Sequence, residues 1–111
     1  MKSNVPFALV IVAVMASAPA MANLELALRN NCMTCHTIDR KVVGPAFQDI
    51  ARKYASDKAA EATLIEKIRK GGVGVWGPMP MPPGSDVKAE DINQLVKWVL
   101  ALDRNGVNKI R

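Results

Sequence analysis

Apolar residues recur every three to four positions in four segments of the chain, and polar residues fill the positions between them. That spacing places the apolar side chains on one face of a helix, whereas a half-buried strand would alternate. The four segments span residues 24–31, 45–54, 60–70 and 88–103. Because no strands alternate convincingly with these segments, the pattern predicts an all-α fold of about four helices.

The residues at the ends of the segments are ones that start or stop helices. Asn23 is suited to cap the first helix, and Pro45 suits the first position of the second. The glycines at 71–72 would end the third helix. Ser85 or Asp86 would cap the fourth.

Helical spacing also predicts which side chains face the core. The expected inward residues are Leu24, Ala27 and Leu28, then Phe47, Ile50, Ala51 and Tyr54, then Leu64, Ile65 and Ile68, and finally Ile92, Leu95, Val96, Val99, Leu100 and Leu102, with Trp98 beside them. Asn-Gly at 105–106 would end the last helix and leave residues 107–111 as a frayed basic tail.

Residues 71–84 have a different composition from the helical segments. They contain five glycines and four prolines, which neither a helix nor a strand accommodates. They also contain Val73, Val75, Trp76, Met79 and Met81, which make the segment too apolar for a disordered linker. We therefore predict a long shaped loop that packs against another part of the molecule.

Residues 1–22 have the features of a leader. Lys2 is followed by an apolar run over 7–16, and Ala-Met-Ala at 20–22 offers the small residues that a signal peptidase recognises. The uncharged stretch 3–22 is long enough to span a bilayer, but its apolar centre is short and Ser-Ala-Pro at 17–19 interrupts it. We predict a signal peptide cleaved after residue 22, a domain over 23–111 and a periplasmic location. The alternative is an uncleaved leader that tethers the same domain to the membrane.

Cleavage would leave 89 residues, 14 of them basic and 10 acidic, with a formal charge of +4. A chain this short has a marginal core unless a cross-link or cofactor stabilises it. No basic stripe with interleaved aromatics is present, so nucleic-acid binding is not expected. Lys41, Lys53, Lys67 and Lys70 either complement acidic faces on partner proteins or form an ordinary solvated surface.

The strongest chemical motif is Cys32 and Cys35 followed at once by His36, the signature of covalent c-type haem attachment. On a short helical turn, two such thiols can reach two vinyl groups of one porphyrin, and the imidazole then becomes the proximal iron ligand. The chain has no other cysteine or histidine, so a four-ligand zinc site would lack a second cluster. A thioredoxin-like pair would need a βαβ scaffold. A plain exported disulfide is the remaining alternative to haem c.

An iron held by His36 has an open sixth position, which a methionine or a lysine could fill in this chain. Met33 lies between the cysteines and cannot reach the other haem face. Met79 and Met81 lie in the loop, where flanking prolines fix the backbone and reduce the entropy lost on ligation. Residue chemistry alone leaves both as candidates.

Further short motifs accompany these residues: Val-Gly-Pro-Ala at 43–46, Gly-Val-Trp-Gly-Pro at 74–78, Pro-Met-Pro-Pro at 80–83 and Lys-Trp-Val-Leu at 97–100. In this order, and with the haem motif, they resemble the short bacterial class I cytochromes c over nearly all of residues 23–103. Those proteins are periplasmic one-electron carriers that serve nitrite reductases and terminal oxidases. The resemblance implies a class I cytochrome c fold, with the helices wrapped around one covalently bound haem.

The resemblance also implies roles for single residues. It implies that Met81 is the axial ligand opposite His36, that the Pro45 carbonyl accepts a hydrogen bond from the His36 ring, and that the Trp76 indole N–H meets a haem propionate. The chain departs from the family at Gly84, where many relatives have an asparagine that hydrogen-bonds the ligand sulfur. It also has Ala27 where many relatives have an aromatic residue.

With both axial positions filled by protein, the iron has no free site for oxygen or peroxide. The sequence therefore predicts a diffusible electron carrier and not an enzyme, and we expect it to be a monomer. The resemblance implies that its redox partner is a reductase or terminal oxidase, such as a nitrite reductase. A haem enzyme or gas sensor would need Met81 to leave, and no second histidine is present to serve the opened site. No stable membrane insertion is expected after cleavage.

Overall fold

The fold comes from a computed structural model, which describes residues 4, 6, 8–12 and 19–102. Helix α1 spans Pro19–Arg29, α2 spans Phe47–Lys53, α3 spans Ala60–Lys70 and α4 spans Ala89–Ala101. A single turn of 3-10 helix over Cys32–Thr34 follows α1. Within the described ranges the only pairing of extended backbone is one isolated antiparallel bridge, between Gly72 and Met81. The prediction of an all-α fold with about four helices is confirmed.

Helix α4 is the centre of the packing, because α1, α2 and α3 all contact it. Its inward face is apolar from Ile92 to Val99, so it supplies side chains to both halves of the core. One cluster joins α4 to α1 and α2; its buried members are Leu26, Ala27, Phe47, Ala51, Leu95, Trp98, Val99 and Leu102. The other cluster joins α4 to α3; its buried members are Leu64, Ile92 and Val96.

The first helix differs from its prediction. It begins at Pro19, so Asn23 lies inside the helix and is not its cap. Proline suits the first helical position because its fixed φ is helical and its missing N–H is not needed there. Ala27 is buried as predicted, but Leu28 is exposed. Leu26, which was not predicted to face inward, is buried instead. Ala27 has no exposed surface, and its small side chain allows α1 and α4 to approach closely.

The residue predicted to begin α2 and the residues predicted to cap α4 were also wrong. Ala46 precedes α2 with an extended backbone, so Pro45 lies outside the helix. Lys88, also extended, precedes α4, and no side chain caps that end. Ser85 and Asp86 are placed in a turn before it. The bounds of α3 and its end at Gly71 agree with the prediction. Of its predicted inward residues, Leu64 is buried and Ile65 and Ile68 are partly buried, and Ala60 is buried as well.

Two predictions concern parts of the chain that the structure describes only partly or not at all. Half of the leader 1–22, and residues 103–111 with the predicted helix end at 105–106 and the tail 107–111, lie outside the described residues. In the described part of the chain, no helix combines the length and apolar character needed to cross a bilayer. Cleavage after residue 22 stays a prediction.

Candidate haem-binding site

The end of α1 positions the haem motif. The backbone N–H of Asn30 still bonds to the Leu26 carbonyl, but Asn31 has a positive φ of 63°, which stops the helix. Asparagine adopts this left-handed conformation more readily than most residues. The next three residues form the 3-10 turn, and the His36 N–H bonds to the Cys32 carbonyl at 3.0 Å. The turn therefore gathers the two thiols and the imidazole on one short stretch of backbone.

The His36 ring is held in one orientation and one tautomer. Its Nδ1 lies 2.7 Å from the Pro45 carbonyl oxygen, so Nδ1 carries the proton and donates it. This leaves Nε2 with a free lone pair, the form in which histidine binds a metal. The ring is 91% buried. The contact between His36 and Pro45 that the resemblance implied is thus present.

Two neighbours fix the plane of this ring. Phe47, the first residue of α2, stacks on it with ring centroids 4.9 Å apart. Trp98 of α4 meets Phe47 edge to face, with centroids 5.6 Å apart. On another side, Gly44 is so close that an added Cβ would lie 2.7 Å from Cε1 of His36. A glycine is required here because the backbone approaches the imidazole directly.

The loop after the motif is tied to the start of α2. The N–H groups of Phe47 and Gln48 bond to the carbonyls of Thr37 and Ile38, at 2.9 and 3.0 Å. These bonds satisfy N–H groups in the first turn of α2 that have no partner within the helix. A third bond, 2.7 Å long, joins the Gly44 N–H to the Cys35 carbonyl. The motif is therefore connected to the core by backbone as well as by side chains.

Cys32 and Cys35 are both partly buried, and their thiols are not joined to each other. Burial raises the pKa of the Cys32 thiol above its usual value. With a haem bound, Cys32 and Cys35 would each hold one vinyl group of the porphyrin as a thioether.

Residues 71–84, which we call the Met81 loop, are held mainly by backbone bonds. Gly72 and Met81 exchange two hydrogen bonds, of 3.1 and 2.8 Å. The Gly84 N–H bonds to the Ile68 carbonyl near the end of α3 at 2.7 Å. Gly71 has a φ of 71°, and a Cβ there would overlap the Met81 carbonyl oxygen. The bridge therefore depends on a glycine at position 71.

The two candidate methionines differ in exposure. Met81 is partly buried, whereas Met79 is 62% exposed. Only Met81 takes part in the bridge to Gly72. Trp76, at the turn of the loop, is 41% exposed, and the Lys53 ammonium lies 5.7 Å from the centroid of its ring. The same ammonium lies 5.8 Å from the ring of Tyr54, so it bridges the end of α2 and the loop.

One cavity of about 350 Å³ brings these parts together. All six predicted site residues line it: Cys32, Cys35, His36, Pro45, Trp76 and Met81. Met79 lines it as well. Most of the other lining is aliphatic, from α2, α3, α4 and the Met81 loop, and the volume falls in the range of small-molecule sites. Their roles as haem contacts stay predictions.

The sequence analysis missed two residues of this cavity. Gly44 was noted only as part of a short motif, although its backbone lies so close to the imidazole that no larger residue fits there. Lys67 was grouped with surface lysines, but it is partly buried, lines the cavity and packs its side chain over Gly72. Its position three residues after the buried Leu64 was the signal, because residues at that spacing share a helix face.

Comparison with known proteins shows which family the chain resembles. The family model described as "Cytochrome c" matches residues 24–103. Cytochrome c-551 of Allochromatium vinosum is 48% identical over 83 residues, which cover 75% of this chain and 88% of that protein. Cytochrome c-552 of Nitrosomonas europaea is 46% identical over 90 residues, covering 81% and 87%.

Solved structures show the same similarity in three dimensions. The crystal structure of wild-type Nitrosomonas europaea cytochrome c552 matches with a TM-score of 0.70 and 48% identity, over 71% of this chain and 98% of that one. The class 1 cytochrome MtoD from Sideroxydans lithotrophicus matches with a TM-score of 0.64 and 28% identity, over 78% and 99%. The resemblance to class I cytochromes c drawn from the sequence is confirmed.

Proposed function

This chain belongs to the cytochrome c family, whose members carry covalently bound haem c, and we propose that it is a monohaem one-electron carrier with His36 and Met81 as axial ligands. One observation supports the proposal above the others. A single apolar cavity is lined by both motif cysteines, by a histidine with its Nε2 free, and by a partly buried methionine. Thiols, imidazole and thioether are the set of groups that covalent attachment and His/Met ligation require.

The residues present fit a haem. The largely apolar lining suits the flat apolar face of a porphyrin. The charged residues in the lining are Lys41, Asp49 and Lys67. Lys67, whose side chain folds over Gly72, would place a cation beside a propionate carboxylate. The Trp76 indole would donate to a propionate, as the resemblance implies.

Each residue has a distinct task in this proposal. Cys32 and Cys35 hold the group by thioether bonds, and His36 presents Nε2 while Pro45 keeps the proton on Nδ1. Phe47 and Gly44 prevent the imidazole from rotating. Met81 supplies a sulfur from a backbone fixed by its bridge to Gly72. When bound, the haem iron accepts and releases one electron between Fe(III) and Fe(II), and methionine opposite histidine raises its potential.

We propose a carrier and not an enzyme because the two protein ligands leave no coordination position for a substrate. His36 is the only histidine, so no second imidazole is present to act on a molecule bound at an opened site. Val73, Val75 and Trp76 line the cavity and are exposed, so they form an apolar rim through which a partner's redox centre could approach the haem edge.

The proposed setting is the bacterial periplasm, reached by a leader cleaved after residue 22. The mature monomer would have 14 basic and 10 acidic residues. Exposed Lys53 contacts Trp76 of the apolar rim, and exposed Lys41 lines the same cavity. We infer that the redox partners, a reductase or terminal oxidase such as a nitrite reductase, present acidic docking faces, and that nucleic acid is not a ligand.

The visible spectrum tests the ligand set. The wild type would be exported from a host with haem-attachment machinery, and its weak long-wavelength sulfur–Fe(III) band recorded. We expect the band in the wild type, in Met79→Leu and in the control Met33→Leu, and its loss in the double variant Met79→Leu/Met81→Leu. A band that disappears in Met79→Leu alone would make Met79 the ligand. Absence of covalent haem would refute the proposal.

The location is tested separately on the same exported protein. Its intact mass and N-terminal sequence should show a chain that begins at Asn23 and carries one haem. A chain that retains residues 1–22 and sediments with membranes would replace the diffusible carrier with a tethered one.

A further inference from the structure

We propose that Met79 is a second ligating position, which reaches the iron when the Met81 loop slides by two residues along Gly72. The inference rests on the proposed His36/Met81 ligation and extends it. In the described structure Gly72 pairs with Met81. In the second arrangement Gly72 would pair with Met79, and Met81 would move out of the cavity.

The local sequence around the two methionines is the same. Residues 78–82 read Pro-Met-Pro-Met-Pro, so each methionine follows a proline and precedes another. A residue before proline is restricted to extended backbone, and proline itself has a fixed φ. Met79 and Met81 therefore have equal backbone restrictions, and either can occupy the extended position opposite Gly72.

The hydrogen bonds of the bridge can re-form if the Met81 loop shifts by two residues, but not if it shifts by one. Gly72 donates to the Met81 carbonyl and accepts from the Met81 N–H. Proline has no N–H, so a shift of one residue, which would bring Pro80 opposite Gly72, loses a bond. A shift of two brings Met79 there and restores both bonds. It also keeps the methionine side chain on the same face, because alternate residues of an extended segment share a face.

The space around the loop is compatible with this shift. Met79 already lines the cavity and is 62% exposed, so its side chain is not committed to the core. The turn beyond the bridge contains Gly74 and Gly77, and a Cβ at either would meet no atom within 4 Å. The Gly74 N–H bonds to the Gly77 carbonyl at 3.0 Å, and this bond would rearrange when the turn shortens by two residues.

The anchor at the other end of the loop explains why Met81 is the resident ligand. The Gly84 N–H bonds to the Ile68 carbonyl at 2.7 Å, and Gly84 packs against Ile68 and Val87. With this bond kept, a shift of two residues leaves excess chain between the bridge and Gly84. That cost favours Met81 whenever its sulfur is present, and Met79 takes over when the sulfur is lost.

The test is the single variant Met81→Leu, exported with its haem attached. We expect it to retain the sulfur–Fe(III) band, and the band to disappear when Met79→Leu is added. In the reduced protein, the methyl group of the ligating methionine lies over the porphyrin and resonates at high field. Labelling the methionine methyl groups should assign that resonance to Met81 in the wild type and to Met79 in Met81→Leu.

A matched control tests whether the methionine must lie two residues from position 81, or whether a methionine anywhere in the loop can bind the iron. Exchanging two residues, Met79→Pro with Pro80→Met, in the Met81→Leu background keeps one loop methionine but moves it to the other face. We expect this protein to lose the band. A band that survives the exchange, or one that is already absent from Met81→Leu, overturns the inference. The second result leaves the proposed function intact, because the wild type and Met79→Leu test that independently.

Discussion

The two sides of the cavity are held in different ways. On one side, His36 is buried, hydrogen-bonded to Pro45 and stacked on Phe47, which in turn contacts Trp98 of the core. On the other side, Met81 is held by two backbone bonds to Gly72. The side chains near it on the loop are largely exposed.

This difference assigns different tasks to the two sides. The His36 side belongs to the hydrophobic core, so its geometry is as stable as the fold itself. The Met81 loop depends on a few hydrogen bonds and glycines, so it can open at a lower free energy than global unfolding. We therefore expect substitutions on the His36 side to change global stability, and substitutions in the loop to change the occupancy of the sulfur ligand.

The largest effect is expected for Phe47→Ala. This change removes a buried ring that contacts both His36 and Trp98. Truncation of a buried phenylalanine costs about 3–5 kcal/mol. Denaturant unfolding of the haem-loaded protein would measure the loss.

Trp76→Ala is the matched aromatic truncation in the loop, where the ring is 41% exposed. It should lower the free energy of unfolding by about 1 kcal/mol or less, since exposed positions contribute little. Equal losses for Phe47→Ala and Trp76→Ala would contradict the distinction between the two sides.

The next largest loss of unfolding free energy is expected for Gly71→Ala, with Gly74→Ala as its control. Both glycines have positive φ, 71° and 103°. Only at Gly71 would the added Cβ overlap the Met81 carbonyl; at Gly74 it would meet no atom within 4 Å. We expect a cost of about 3 kcal/mol at Gly71 and about 1–2 kcal/mol at Gly74.

The sulfur–Fe(III) band during denaturant titration provides the second readout. In Gly71→Ala the band should disappear at a lower denaturant concentration than the loss of helical circular dichroism. In Gly74→Ala the two transitions should stay closer together. If Gly71→Ala shifts both transitions equally, the loop unfolds with the core and the comparison fails.

Much of the fold could be predicted from sequence, because strong periodicity and short motifs both carry local information. The bounds of α3 and the buried face of α4 followed from apolar spacing and from the glycines at 71–72. The haem motif and the loop methionines were visible as residue patterns. Residue chemistry made both loop methionines candidates for the ligand opposite His36. The choice of Met81 and the contacts of Pro45 and Trp76 were expected only from the resemblance, since spacing along the chain does not fix distances across it.

The errors occurred where tertiary contacts decide the outcome. Pro45 was assigned to the start of α2, but its carbonyl is used by His36, and the helix begins at Phe47. Leu28 was assigned to the core, but α1 packs through Leu26 and Ala27. Lys67 was assigned to the surface, although it lines the cavity. A helical pattern predicts which residues share a face, but the partner helix determines which part of that face is buried.

A smaller effect is expected at Asn31, on the His36 side. Its φ of 63° ends α1 immediately before Cys32. Alanine adopts this left-handed conformation less readily than asparagine, so Asn31→Ala should lower the free energy of unfolding by about 1 kcal/mol. Asn31→Gly should change it by less than about 0.5 kcal/mol, because glycine adopts positive φ without strain but gains entropy when unfolded. A loss in Asn31→Gly as large as in Asn31→Ala would assign the effect to the side chain and not to the backbone.

The smallest effect is expected at Lys53, whose ammonium lies between the rings of Tyr54 and Trp76. Lys53→Gln removes the positive charge, and an exposed cation–π contact contributes about 0.5 kcal/mol. Lys53→Arg keeps the charge and should retain most of the stability. The chemical shift of the Trp76 indole N–H should change in Lys53→Gln and much less in Lys53→Arg. If both variants lose equal stability, the contact contributes through the aliphatic stem and not through charge. This contact joins the end of α2 to the Met81 loop. A small loss of unfolding free energy in Lys53→Gln would therefore mean that side-chain contacts with α2 contribute little to holding the loop.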